Sequence, residues 1–435
     1  MTKKLSTEAY KGTRDFYPKD MAIQRYIFDM WAKTAESFGY ERYDASILEP
    51  SELYKSKGAE NEEMVNEQTY TFTDRGDREV TLRPEMTPTV ARMVAGKRRD
   101  LTFPVRWYSI PNLFRYERPQ RGRLREHWQL NCDMFGVDDI SADVEMIALA
   151  YNVLKAFGAN DSDFEIRVNN RQLMTEFFIQ RYGINDSEII SKITRILDQK
   201  KKVTEAVFDG LLKDIVQENF EQLKSDLEIS DVSEFTKLLN TEVQNSTLIL
   251  AQKGLESLGI KIVFDPTLAR GFDYYTGTIF EIFDTSPDNN RSLLGGGRYD
   301  NLTSLFEGEP VSGIGFGMGD VTMRDFLETH GLLEGKVPAT SPTIIVIPND
   351  ATQNLDAQKV AAEFRTAGIK ITVDISDRKA DKKKSTAEKT DAKYILTFTD
   401  NTGVFTLRAL RSKDADVIDA STNLIRLILG NLNAV

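Results

Sequence analysis

Residues Val105 to Gly136 read VRWYSIPNLFRYERPQRGRLREHWQLNCDMFG. Two extended segments flank a loop that carries Arg115, Arg118, Arg121, Arg123 and Arg125. The returning segment alternates strictly: His127, Gln129, Asn131 and Asp133 share one face, and Trp128, Leu130, Cys132 and Met134 share the other. A period of two with one polar face predicts a strand packed on a core below and open above. Guanidiniums beside a strand of amide and carboxylate groups suit an anionic ligand that also carries a cationic or donor group. Nucleotide phosphates plus an amino acid fit that description. A surface hairpin with a solvated arginine run has the same loop, but half-buried strands seldom line up His, Gln, Asn and Asp.

With 435 residues the chain is long enough for two to four domains, each with its own core. Its 40% apolar and 28% charged residues are ordinary for a soluble protein. The one cysteine, Cys132, forms no internal disulfide and no cysteine metal cluster, which fits a reducing, cytoplasmic setting. His127 and His330 are the only histidines, so a His-based zinc site or a Ser-His-Asp triad has almost no material, and no protein-bound metal is expected. The start, MTKKLSTEAYKGTRD, lacks the apolar core of a signal peptide, and no run of about eighteen apolar residues follows. The expectation is a protein neither secreted nor membrane-spanning. A net charge of −11 argues against indiscriminate nucleic-acid binding. Residues 341–435 carry 14 Lys+Arg against 12 Asp+Glu, however, so nucleic-acid contact is expected locally, at the arginine loop and in this last segment.

Upstream, Asp20 can cap a helix to Ser37 in which Ile23, Tyr26, Ile27, Met30 and Thr34 recur at helical spacing. An extended segment then ends at Pro50. Gln68–Asp74 and Arg78–Leu82 form a hairpin around Arg75-Gly76-Asp77, and Thr87-Pro88 opens a helix, leaving Glu85 at a strand-to-helix junction. Asp143 to Gly158 is amphipathic. Residues 170–255 are helical in pattern, rich in charge and nearly free of strand signals, and read as an insertion. Beyond it come Leu268-Ala269-Arg270-Gly271-Phe272-Asp273-Tyr274-Tyr275, the strand Thr278–Phe283, Gly295-Gly296-Gly297-Arg298-Tyr299-Asp300 and Ile314-Gly315-Phe316-Gly317-Met318-Gly319, which opens a helix. Glycines at alternate strand positions let a backbone or a flat ring lie against the strand. No Gly-Lys-Ser/Thr follows, so this is not a Walker loop. The linker 331–342 precedes alternating strands and helices from Thr343 to a helix at 421–429, the pattern of a small mixed-sheet α/β domain.

In their order, these pieces resemble class II histidyl-tRNA synthetases over nearly the whole chain. Lys11-Gly12-Thr13-Arg14-Asp15 matches an N-terminal signature, and the helix and strand ending at Pro50 resemble motif 1, a dimer interface. Phe114-Arg115-Tyr116-Glu117 with its loop and return strand resembles motif 2, while LARGFDYY and GGGRYD resemble the two histidine signatures. The resemblance implies an α+β catalytic domain on a six-stranded antiparallel sheet (residues 1–169 and 256–330), the helical insertion 170–255, and an α/β anticodon-binding domain at 343–435. It implies a cytoplasmic homodimer that joins histidine to tRNA(His) through histidyl-adenylate, with ATP and Mg²⁺ and no membrane partner. In that reading Arg115 holds the α-phosphate and Arg270 stabilises the charge that develops there. Arg123 and Glu117 bind ATP, while Glu85, Thr87 and Gln129 bind the α-ammonium. Asp133, Tyr275 and Tyr299 surround the imidazole, and Arg118 and Gln120 meet the tRNA acceptor end. Lys379, Lys382, Lys383 and Lys384 are candidates for the anticodon side.

Two residues depart from the family pattern. Asp133 stands where most members have Glu, and Thr322 stands where motif 3 usually carries the arginine that meets the γ-phosphate. Arg324, two residues on, lies about 200° around the helix and cannot simply substitute. A non-catalytic paralogue, such as a regulatory subunit of an ATP phosphoribosyltransferase, is therefore a second reading, and a threonine or proline enzyme of class II is a third.

Overall fold

The structure is a computed structural model and describes residues 4–55, 68–200, 203–239, 247–269, 274–289, 291–399, 404–410 and 418–421. Contacts divide the chain into two compact units, residues 1–16 with 23–336, and residues 337–435 with 17–22.

The first unit holds β1 (Glu41–Arg42), β2 (Leu48–Pro50), β3 (Tyr70–Thr73), β4 (Glu79–Leu82), β5 (Val105–Ser109), β6 (Asn112–Phe114), β7 (Glu126–Phe135), β8 (Phe164–Asn170), β9 (Val263–Phe264), β10 (Thr278–Asp284), β11 (Ser292–Arg298) and β12 (Gly313–Gly319). Its main sheet has nine strands, not the six expected, in the order β1-β5-β7-β12-β11-β10-β8-β9, with β6 also on β7. Strands β5, β7, β12, β11, β10 and β8 pair antiparallel in succession. The two-residue strands β1 and β9 add in parallel at the edges. Both lie in stretches that read as extended, the one ending at Pro50 and Ile260–Phe264, but strands this short carry no periodicity that would assign them to the main sheet. Strand β6 pairs with β7 beyond the point where β5 stops, because Pro111 interrupts what reads as one strand. Strands β2, β4 and β3 form a separate small sheet.

Alternation decides the packing. Leu130, Cys132 and Met134 of β7 and Ile314, Phe316 and Met318 of β12 bury against Met146, Leu149 and Val153 of the helix Ser141–Ala156 and Trp31 of the helix Pro18–Ser37. Each fully buried large apolar side chain contributes about 1.5–3 kcal/mol, so a one-residue slip that turned Asp133 into this core is strongly disfavoured. The other face is also covered: Val90, Ala91 and Val94 of the helix Thr87–Lys97 cluster there with Phe135, Leu268, Tyr275 and Tyr299. The alternation of β7 predicts an open polar face, but Asn131 and Asp133 are buried, while His127 and Gln129 stay partly exposed.

Between β8 and β9 the described residues form helices and no strand, starting with Arg171–Tyr182. Asn170 at the end of β8 caps that helix, its side chain accepting from Leu173 N at 3.1 Å, and Gly183 closes it in the left-handed region at φ 68°. Phe177, Phe178, Ile193 and Leu212 extend the sheet's core into this segment.

The second unit carries β13 (Ile344–Ile347), β14 (Ile371–Val373), β15 (Tyr394–Phe398), β16 (Val404–Ala409) and β17 (Ile418–Ser421), in the order β14-β13-β15-β16-β17. The first three are parallel and the last two add antiparallel. Ala357, Ala361 and Phe364 bury one face of the helix Asn354–Thr366. On the helix Ala380–Ala387, Lys383 points inward, and its ammonium donates to Asp374 O at 3.0 Å. It is thus not available to RNA, whereas Lys379 and Lys382 are exposed. Of the helix expected at 421–429 only Ser421 is described, and it ends β17 instead; the rest lies outside the described residues. Among the described residues no helix is long and apolar enough to cross a membrane.

Candidate active site

Strand β12 places Gly313, Gly315, Gly317 and Gly319 opposite Phe135, Asp133, Asn131 and Gln129, while β11 sets Gly297 and Gly295 opposite Gly315 and Gly317. All these glycines share the polar face of β7. What the positions require is space. A Cβ on Gly315 would lie 2.5 Å from Asp133 Oδ1 and 2.7 Å from the Tyr299 hydroxyl. One on Gly313 would lie 2.6 Å from the Tyr299 ring, and one on Gly297 would lie 2.7 Å from the Tyr275 ring. One on Gly317 would meet the Gln129 amide at 2.6 Å. The bare strands are a floor on which two phenol rings, a carboxylate and an amide lie flat.

Above this floor the side chains line a small cavity. Of the expected residues Glu85, Thr87, Arg115, Gln129, Tyr275 and Tyr299 line it, with Asn131 and Tyr274, whereas Asp133 is not in the lining and lies behind Tyr299, whose hydroxyl donates to it. Asn131 is legible in the alternation of β7, and Tyr274 is the twin of Tyr275, but neither pattern marks a lining role. The Tyr274 hydroxyl donates to Glu85 Oε2 at 3.0 Å, so the junction carboxylate is buried and oriented.

Asp133 is the electrostatic centre. The Tyr299 hydroxyl donates to its Oδ1, while Oδ2 is buried with no partner among the described residues. Burial pushes this carboxyl up to about 7 against the pull of the Tyr299 hydrogen bond. Burial, with the nearby Asp133 charge, also raises the Tyr299 phenol well above its ordinary value. Here is an acceptor with a vacant lone pair, shielded from water. His127, on the same strand, is neutral: burial and then the charges of Arg115 and Arg14 push its imidazole down to about 3.

The arginines divide by role. Arg115 Nε donates to Pro84 O at 2.8 Å, which aims the guanidinium into the cavity. Arg125 is structural: it stacks 3.9 Å over the Tyr116 ring and reaches Tyr10 Oη at 3.2 Å. Its backbone N donates to Gly12 O at 2.7 Å, so the N-terminal Lys11–Asp15 segment lies along the loop. Arg14 then pairs at 2.6 Å with buried Asp320, which also accepts from Gln24 and from Trp128 N. Arg123 pairs with Glu117 at 3.0 Å. At the tip, Gln120 and Arg123 exchange backbone hydrogen bonds, Gly122 takes φ 74°, and Arg118 and Gln120 are exposed. Arg298 of GGGRYD faces away from the cavity; it bonds Val137 O at 2.9 Å and clamps buried Asp143. Arg270 lies outside the described residues, and so does its expected convergence with Arg115. Among the described residues no group of three or more His, Cys, Asp or Glu side chains is placed to hold a metal ion.

An antiparallel sheet with a cavity on its glycine face, a guanidinium hairpin over that cavity and a separate α/β unit is the architecture of a class II aminoacyl-tRNA synthetase. The family model described as histidyl-tRNA synthetase matches residues 12–320, and that of an anticodon binding domain matches 343–424. The chain is 44% identical over 407 residues to the histidine–tRNA ligase of Leptospira biflexa, covering 90% of each chain. It is 39% identical over 381 residues to that of Thermoplasma volcanium, covering 86% of each. The fold is similar to a crystal structure of histidyl-tRNA synthetase from Nostoc, with TM-score 0.79 at 22% identity over 98% of this chain and 100% of that one. It is also similar to a Bacillus halodurans structure titled an ATP phosphoribosyltransferase regulatory subunit/histidyl-tRNA synthetase, with TM-score 0.74 at 23% identity over 91% of this chain and 99% of that one. The chain belongs to the histidyl-tRNA synthetase family.

Proposed function

We propose that the cavity on the glycine face binds histidine and the α-phosphate of ATP side by side and joins them as histidyl-adenylate. The family assigns the overall reaction, ATP-dependent ligation of histidine to tRNA(His) with release of AMP and diphosphate. The buried, unpartnered Oδ2 of Asp133 carries the reading for the amino acid. A neutral imidazole offers one N–H donor and one acceptor nitrogen. Its N–H donates to Oδ2, Tyr299 fixes the carboxylate from the other side, and Tyr275 is the phenol assigned to the second ring nitrogen. Side chains that cannot donate leave Oδ2 unpaired, which supports discrimination of roughly 10⁴-fold or more. Glu85, held by Tyr274, takes the α-ammonium with Thr87 and Gln129.

The carboxylate of histidine attacks the α-phosphorus and pyrophosphate leaves. Arg115 holds the α-phosphate and Arg270 stabilises the charge that grows on it, a contribution of about 3 kcal/mol per donor in a water-poor site. Arg123, fixed by Glu117, binds the nucleotide. Mg²⁺ enters with ATP as part of the substrate and neutralises the leaving pyrophosphate. Arg118 and Gln120, exposed at the hairpin tip, meet the tRNA acceptor end, and the 343–424 unit reads the anticodon side. Exposed Ile47, Leu48 and Phe72 near the small β2-β4-β3 sheet support a homodimer interface there, and a cytoplasmic setting goes with the reaction.

The test is amino-acid-dependent ATP–pyrophosphate exchange by the purified chain. Histidine supports exchange in this reading; proline or threonine in its place would reassign the cavity. Thr322 favours the non-catalytic paralogue, for which no amino acid supports exchange; the anticodon-domain match opposes it.

A further inference from the structure

The hairpin tip closes over a side chain that the proposed mechanism does not use. A Cβ built on Gly122 would lie 2.9 Å from Arg291 Cδ and 3.4 Å from Thr322 Cγ2. The stem of Arg291 therefore runs under the hairpin, beside the position at which the family pattern expects arginine. Thr322 cannot supply a cation, and its hydroxyl is spent on Gly319 O at 3.2 Å and Leu293 O at 3.4 Å. Arg324 is paired with Glu328 at 2.8 Å.

Arg291 itself is half-buried and, among the described residues, has no hydrogen-bond or ion-pair partner. Burial and the charge of Arg123 hold its guanidinium below the ordinary value, with Glu117 opposing. Glu117 is already engaged with Arg123 at 3.0 Å. Two neighbouring guanidiniums sharing one carboxylate leave an unbalanced positive charge, and a half-buried cation without an acceptor is unfavourable until an anion arrives. Arg121, whose guanidinium donates to Asn289 Oδ1 at 2.9 Å, fastens the hairpin tip to the segment just before Arg291.

We infer that Arg291 binds the terminal phosphates of ATP, standing in from the residue just before β11 for the arginine absent at position 322. The inference rests on the reading of the cavity as an ATP site. It makes the loss of arginine from motif 3 a relocation of charge: a threonine leaves the room that a stem rooted at 291 needs, and two arginines there would compete for one space.

The experiment is calorimetric binding of AMP and of a non-hydrolysable ATP analogue to the wild type and to Arg291→Ala, Arg291→Lys and Arg115→Ala. Arg291→Ala weakens the ATP analogue by at least ~10-fold and AMP by less than about two-fold, because a charge-assisted bond to the β- and γ-phosphates has no counterpart in AMP. Arg291→Lys retains affinity within about three-fold of the wild type. Arg115→Ala weakens both nucleotides alike. The double substitution R291A/T322R restores the ATP preference, which a merely structural role for Arg291 would not allow. An unchanged ATP-to-AMP ratio in Arg291→Ala overturns the inference while leaving the ATP site standing. A wild-type chain that binds neither nucleotide overturns both.

Discussion

Replacing Asp133 by asparagine keeps the shape of the side chain and removes its charge, and the structure predicts opposite consequences for stability and for activity. The carboxyl is pushed up to about 7 in the folded chain from an unfolded value of 3.8. The folded chain therefore holds a proton that the unfolded chain has already released, and this one site lowers stability progressively as pH rises from about 4 to about 7. This difference amounts to ~4 kcal/mol above pH 7, and to less than half of that at pH 5. Asp133→Asn lifts the burden, so the mutant melts above the wild type at pH 8 by several degrees, and the gap shrinks at pH 5. The same substitution puts an amide N–H where Oδ2 was, donor against the imidazole donor, and histidine-dependent exchange falls by at least ~10²-fold with most of the loss in KM for histidine. Paired melting curves and exchange assays on one preparation read both effects. A mutant no more stable than the wild type at pH 8, or one that keeps the wild-type KM, refutes the argument.

Other substitutions probe separate parts of the account. Gly315→Ala drives a methyl group to within 2.5 Å of Asp133 Oδ1 and 2.7 Å of the Tyr299 hydroxyl, so it costs about 1–3 kcal/mol of stability and at least ~10-fold in kcat/KM for histidine, measured by melting and exchange. Arg298→Ala leaves buried Asp143 without its partner and destabilises the first unit by about 3–5 kcal/mol in urea titration, although it carries nothing into the cavity. Arg270→Ala lowers adenylate formation at least ~10²-fold with an unchanged melting curve; a rate within a few-fold of the wild type removes Arg270 from its role.

Much of this site is legible in the chain because it is built from strands. The period of two in β7 places Gln129, Asn131 and Asp133 on one face, and alternate glycines in β12 show that something flat must lie there. Those patterns pass directly into geometry. What they do not carry is the second layer: Asp133 reads as facing an open surface, yet it is buried with its carboxylate held by Tyr299, 166 positions away, and its raised pKa follows from that burial. The same holds for the sheet's extra strands, since two-residue pairings such as β1 on β5 depend on their partners alone. Arg291 is the extreme case. Nothing in Asn-Arg-Ser marks it as more than a loop cation; only the hairpin folded over its stem gives it neighbours worth reading. Conversely, Arg298 stands inside a signature yet serves the fold, clamping the start of the helix Ser141–Ala156.

Crystals of the wild-type chain soaked with histidine provide the most direct measurement. The account predicts an imidazole nitrogen at hydrogen-bond distance from Asp133 Oδ2, between the Tyr275 and Tyr299 rings, with the α-ammonium beside Glu85. Histidine bound elsewhere, or bound here with its ring turned away from Asp133, would contradict the assignment of this cavity.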